Sequence, residues 1–189
     1  MILGAVLLAA GASRRFGAED KLLTPVRGVP MVCHAARLVA RFPKRLAVVS
    51  SDAVRPVIEA EGVSTHRIPA GGQGDSLAAA VSRLGAVDRL AVFLGDMPDL
   101  TAGDVDRLLA TDPSRPACAV LDGVMMPPVI FPRAWLSDLT ALTGDRGAGA
   151  LLRAASPTLV SLPPSRLHDV DRPEDLKAIQ SDGAFVSPS

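Results

Sequence analysis

The strongest pattern along the chain is an apolar run over residues 3–9 that ends at Ala10-Gly11 and turns basic at Arg14-Arg15. An unbroken apolar run of this length predicts a strand buried on both faces, as in a parallel sheet. The period then changes. Over residues 30–42, Val32, Ala35, Leu38 and Val39 recur near the helical repeat, and Pro30 suits a first helical turn. Apolar runs at 45–51, 63–68 and 89–94 predict further strands. Asp52 is positioned to cap a helix that runs to about Glu61 and stops at Gly62, and another helix is predicted to begin near Asp75. Beyond the 89–94 run, Thr101 or Asp104 starts the next helix. Two short strand candidates, 117–121 and 129–131, surround Asp122-Gly123 and a Met125-Met126-Pro127-Pro128 segment, read as a proline-stiffened loop whose methionines pack. Residues 133–142 read as helical, Asp145 suits the cap of a helix that follows, and Pro173 begins a last helix. Alternation of strand and helix through the first half predicts a three-layer α/β/α fold with a mostly parallel sheet.

Composition narrows this picture. A length of 189 residues suits one domain, taken as 1–180, with a tail at 181–189 that has little to order it. Lys+Arg and Asp+Glu are equal at 20 each, so no global charge favours nucleic acid or an acidic membrane. No apolar run reaches the roughly 18 residues of a membrane span. The stretch ILGAVLLAAGA resembles the apolar part of a secretory signal but lacks the basic segment before it, so a strand is the better reading. Cys33 and Cys118 form no C-x-x-C pair, which argues against a disulfide framework or a structural zinc site. A cytoplasmic location is the expectation.

Candidate chemistry collects where strands end. In an open α/β sheet the ligand edge lies beyond the C-terminal ends of the strands. The first run is followed there by Gly11-Ala12-Ser13-Arg14-Arg15-Phe16-Gly17, which offers small residues, backbone N–H groups and two guanidiniums. Such a segment suits phosphate oxygens. The spacing of Gly11 and Gly17 fits neither a P-loop nor a dinucleotide fingerprint. A second glycine-rich stretch, 69–77, offers Gly71, Gly72, Gln73 and Ser76. Asp96 follows the 89–94 run and Gly95, at the ligand edge, while Asp99 suits a turn. His34, His66 and His168 are scattered, and no serine–histidine–acid or cysteine–histidine set is visible.

Leu8, Ala9, Ala10, Gly11, Ser13, Arg15, Gly17 and Lys21 together resemble the signature loop of the MobA-like nucleotidyltransferases, and the LAAG form is most similar to their molybdenum cofactor cytidylyltransferase (MocA-type) branch. Ser76-Leu77, Gly95-Asp96-Met97-Pro98 and the Asp169-Val170-Asp171-Arg172-Pro173-Glu174-Asp175-Leu176 stretch extend the resemblance across nearly the whole chain. It implies a Rossmann-like nucleotidyltransferase fold and a Mg²⁺ ion held by Asp96 and Asp171, with Asp169 the second choice for the latter. It also implies catalytic roles for Arg15, Lys21 and Asp96. Nucleotide contacts would come from Leu8, Ala9, Ala10, Gly11, Ala12, Ser13, Arg14 and Gly17, with Gly71, Gly72, Gln73 and Ser76 beside them. The implied reaction moves CMP from CTP to a molybdopterin-type acceptor and releases pyrophosphate, with a molybdoenzyme or its chaperone as client.

Three departures from the family pattern are visible. Three residues, not two, separate Gly17 from Lys21. The acceptor-side glycine and histidine expected before Pro128 are missing, while the second proline and the apolar run after it remain. Gly149 stands where the family has arginine, with Arg146 and Arg153 nearby. Guanylyl or other nucleotidyl transfer to a different phosphorylated acceptor therefore stays open, as does a non-catalytic protein that binds and hands on the cofactor. Some relatives of this branch are oxidoreductases; the missing dinucleotide fingerprint argues against that role here.

Overall fold

The structure, a computed structural model, describes residues 1–11, 20–170 and 175. The first apolar run forms β1 (Leu3–Ala9), with Lys44–Val49 as β4 and Thr65–Arg67 as β5 on one side of it and Arg89–Leu94 as β6 on the other, all parallel. Between β1 and β4 lie a short antiparallel ribbon, β2 (Pro25–Val26) and β3 (Val29–Pro30), and the helix α1 (Met31–Val39). The helices α2 (Val54–Ala60), α3 (Gln73–Leu84) and α4 (Ala102–Leu109) follow the strands in turn. The remaining strands are β7 (Ala117–Leu121), β8 (Val124–Pro132) and β9 (Thr158–Ser161), and the remaining helices are α5 (Leu136–Thr140) and α6 (Gly149–Ala155). The sheet order is β5-β4-β1-β6-β8-β7-β9, with β8 antiparallel to both its neighbours. This is the mostly parallel α/β arrangement that the alternation predicts.

Two cores explain why the strands read as unbroken apolar runs. Ala5, Leu7 and Ala9 of β1 join Ala47, Val49 and Phe93 beneath α1, α2 and α4. Val6 and Leu8 join Val48, Leu90 and Val92 beneath Leu77 and Val81 of α3, Leu139 of α5 and Leu152 of α6. Successive residues face opposite sides and both sides are covered, so no polar alternation survives.

Several boundaries differ from the sequence reading for identifiable reasons. α3 begins at Gln73, two residues before Asp75, because Gly72 serves as its N-cap. The cap of α2 is Ala53, and Asp52 instead pairs with Arg67 across 2.9 Å. Asp145 does not cap α6, whose N-cap is Ala148 with no side-chain hydrogen bond. Thr101 and Asp104, offered as alternatives, act together: Thr101 is the N-cap of α4 and Asp104 completes a reciprocal capping box. The 133–142 segment divides into a 3₁₀ turn at Arg133–Trp135 and α5. The short β2, β3 and β9 strands have no clear sequence signal.

The largest correction concerns the methionine–proline segment, which is strand and not loop. Asp122 and Gly123, at φ of 49° and 79°, form the two-residue turn between β7 and β8. Cys118 pairs with Val129 and Ala119 with Met126, leaving Pro127 and Pro128 in a bulge. Proline donates nothing to a ladder, so a bulge is where a strand tolerates it. Pairing of β8 with β6 also ends at Val92–Val129. Beyond that point the two strands part.

Candidate active site

Three strand and helix ends converge on one cleft of about 190 Å³. Leu8, Ala9, Ala10 and Gly11 enter it from the end of β1, Leu94, Gly95 and Asp96 from the end of β6, and Gly71, Gln73 and Ser76 from the start of α3, with Lys21 and Leu22 closing one side. The topology puts these ends together. The chain order runs outward from β1 through β4 to β5 on one side and to β6 on the other, so the crevice opens where the direction of winding reverses.

Within the cleft Lys21 Nζ donates to Asp96 Oδ2 over 2.8 Å and to the Val170 carbonyl over 2.9 Å. The lysine is carried on a 3₁₀ turn, Lys21–Leu23, whose N-cap Asp20 accepts from the Leu22 N–H. That turn comes close because Gly95 has no side chain: a Cβ there would lie 3.2 Å from Leu22 Cδ2. The Val170 N–H in turn donates to the Asp96 carbonyl over 3.0 Å. Val26, Met31 and Val170 form a small buried cluster beside this anchor. On the far side of Asp96, Arg27 donates to the Asp99 carboxylate over 2.6 Å and to the Pro98 carbonyl over 2.8 Å. The loop that carries Asp96 is thus fastened on both flanks.

Among the described residues, Asp96 Oδ1 is buried and has no hydrogen-bond partner. Buried polar atoms are rarely left so. An oxygen donor of this kind, at a cleft rimmed by backbone, is chemically suited to a hard divalent cation. Among the described residues no group of three or more His, Cys, Asp or Glu is placed to hold a metal, so any such ion would take its other ligands from substrate, water or residues elsewhere. Asp171, the second metal ligand inferred from sequence, lies outside the described residues, as do Ala12, Ser13, Arg14, Arg15 and Gly17. Val170, the residue before Asp171 in the chain, is the one tied to Asp96 and Lys21.

Of the second glycine-rich stretch, Gly71, Gln73 and Ser76 reach the cleft, whereas Gly72 does not line it. Gly72 and Gly74 pack directly on the 143–147 loop, and the Gly74 N–H donates to the Gly144 carbonyl over 2.9 Å. The Gly144 N–H is answered by Asp75 Oδ1 over 2.9 Å. Gly144 itself has a φ of 62°, which glycine adopts without strain. A Cβ on Gly72 would overlap the Gly144 carbonyl and force the loops apart. Gly72→Ala should therefore lower stability by about 1–3 kcal/mol, read as a reduced urea midpoint with unchanged slope. The Ser76 hydroxyl donates back to the Gly72 carbonyl, so it helps hold the turn.

Other titratable groups stand apart from the cleft. Burial, helped at Cys33 by a hydrogen bond with Glu61, pushes both Cys33 and Cys118 up to about 11, which keeps these buried thiols protonated. His34 donates from Nε2 to the Val26 carbonyl, and burial lowers its pKa, so it is a neutral structural group. Among the described residues no helix is long and apolar enough to cross a membrane.

Known proteins resemble this chain in sequence and in fold. Residues 5–159 match the MobA-like NTP transferase domain. The purine catabolism protein PucB of Bacillus subtilis is 28% identical over 93% of this chain and 94% of its own. The nicotine blue oxidoreductase of Paenarthrobacter nicotinovorans is 31% identical over 83% of this chain and 84% of its own. Among solved structures, Rv0371c of Mycobacterium tuberculosis superposes with a TM-score of 0.84 at 22% identity, covering 96% of this chain and 98% of that one. A complex of that protein with manganese has the same fold.

Proposed function

The chain belongs to the MobA-like NTP transferase family, and from that membership we propose that it moves CMP from CTP to a molybdopterin-type acceptor with Mg²⁺ and releases pyrophosphate. The observation that carries this reading is the Lys21–Asp96 pair, held at 2.8 Å at the ligand edge of the sheet beside the end of β1. Such a transfer needs no protein nucleophile. An acceptor phosphate oxygen bonds to the α-phosphorus as the bond to the leaving pyrophosphate breaks, and the protein must align two anions and offset the charge that develops.

Each residue has a place in that task. The first-loop backbone with Arg15 and Arg14 is assigned to the β- and γ-phosphates, and Lys21 to charge near the α-phosphate. Asp96, with Asp171, would hold the metal; its unpaired buried Oδ1 is the feature that fits. When bound, the ion would neutralise triphosphate charge. Gln73 and Ser76, which line the cleft, are assigned to the donor base or ribose by the resemblance. Choice of CTP rests on the resemblance of the LAAG element, with its Ala10, to the MocA-type branch. The test is calorimetric titration with CTP, GTP, ATP and UTP in the presence of Mg²⁺. CTP should bind at least tenfold more tightly than the others, and equal affinity for all four would remove the cytidine assignment.

A second reading, transfer to a different phosphorylated acceptor, is favoured by one observation. The segments on the acceptor side, 123–128 and 144–149, contribute apolar walls and no histidine or arginine to the neighbouring cleft.

A further inference from the structure

A second cleft, of about 160 Å³, lies against the first and shares Leu8, Gln73 and Leu94 with it. Its origin is the bulge at Pro127-Pro128. Because β8 leaves β6 beyond Val92–Val129, a gap opens between the end of β6 and the Met125–Pro127 stretch, and α6 roofs it with Leu152. Bulges beside active sites commonly re-aim side chains in this way. Leu77 completes the wall from α3.

The chemistry of this lining is one-sided. Among the described residues no charged side chain enters it, and Gln73, on the wall shared with the first cleft, is the sole side chain there able to hydrogen bond. A polar ligand body buried here would lose its hydrogen bonds to water and recover few. Two methionines favour the faces and edges of an aromatic ring through their thioethers, and adapt to its outline. The volume is well below the roughly 300 Å³ and more of a pocket that holds a whole ligand, which suits one ring system projecting from a molecule whose remainder lies in the first cleft.

We propose that this cleft holds the acceptor by a flat aromatic ring of low polarity, whose phosphate is directed past Gln73 toward Lys21 and Asp96. The proposal rests on the nucleotidyl-transfer reading and defines the acceptor class of its second form. Gln73, on the wall shared by the two clefts, then stands between the donor on one side and the acceptor ring on the other, and the 143–147 loop packed on α3 fixes that wall through the Gly74–Gly144 contact.

The test compares 1-naphthyl phosphate with glycerol 1-phosphate, two phosphates that differ in the ring, by equilibrium titration of the full chain. The naphthyl compound should bind at least tenfold more tightly. Leu152→Gln and, independently, Met126→Gln should each weaken it about tenfold without altering glycerol phosphate. Circular dichroism and CTP affinity report that each variant is folded. Equal binding of the two probes, binding of neither, or retention of full naphthyl affinity in both folded variants would overturn the ring site. Ring-selective binding in a protein that binds no nucleoside triphosphate would leave the ring site standing and remove the transfer reading, so the two failures are distinguishable.

Discussion

Asp96→Asn should reduce pyrophosphate release by about a hundredfold or more, with the fold intact. Asparagine keeps the shape of the side chain and can still accept from Lys21, but it removes the negative charge that a divalent ion requires. The loss of one fixed electrostatic contact in a site of this kind typically raises the barrier by about 3 to 4 kcal/mol. Removing the ammonium–carboxylate attraction has a structural effect too. The two side chains are only 15% and 20% exposed, so screening by water is incomplete. A cost of about 1 kcal/mol in stability would appear as a fall of roughly 2–4 °C in Tm for a chain of this size. Steady-state kinetics alongside a thermal melt separates the two effects. Wild-type turnover in folded Asp96→Asn would remove the carboxylate from the mechanism.

Lys21→Ala should be comparably damaging to turnover, for a different reason. The ammonium is held by the Asp96 carboxylate and the Val170 carbonyl, so it is oriented before any substrate arrives. A cation fixed in advance costs no reorganisation when charge develops. Its removal also cuts the Lys21 Nζ link between the 3₁₀ turn and the Val170 carbonyl, while the Val170 N–H bond to the Asp96 carbonyl stays in place. We expect a few hundredfold loss in kcat, with partial recovery in Lys21→Arg, whose charge is kept but whose reach differs. A variant that loses activity only through a raised KM would assign Lys21 to substrate binding and not to the transferred charge.

The parts of this site that sequence reveals are those coded locally. The apolar run of β1, the small residues after it and a carboxylate just beyond β6 can each be read in a window of a few residues, because strand burial and turn chemistry are local. The pairing of Lys21 with Asp96 cannot, since the two residues are 75 positions apart and meet only because β1 and β6 are adjacent. The extra residue before Lys21 does not by itself say where the lysine reaches; the structure brings it to Asp96 by way of the Asp20-capped turn and the absence of a side chain on Gly95. Gly71, Gly72 and Gly74 cannot be told apart in the sequence, yet Gly72 and Gly74 are where two loops pack backbone to backbone. The apolar second cleft was hidden for a related reason. Prolines and methionines in sequence suggest a loop, and only the register of β7 against β8 shows that they form a bulge that opens a gap.

The most direct measurement of the central claim is pyrophosphate release by the purified chain with CTP, in the presence and absence of Mg²⁺, with molybdopterin-type cofactor and then with an aromatic phosphate as acceptor. The account predicts release that requires the metal, CTP and one of these acceptors, and that disappears in Asp96→Asn. Release from CTP that is indifferent to the metal and to Asp96, or none from folded protein with either acceptor, would contradict it.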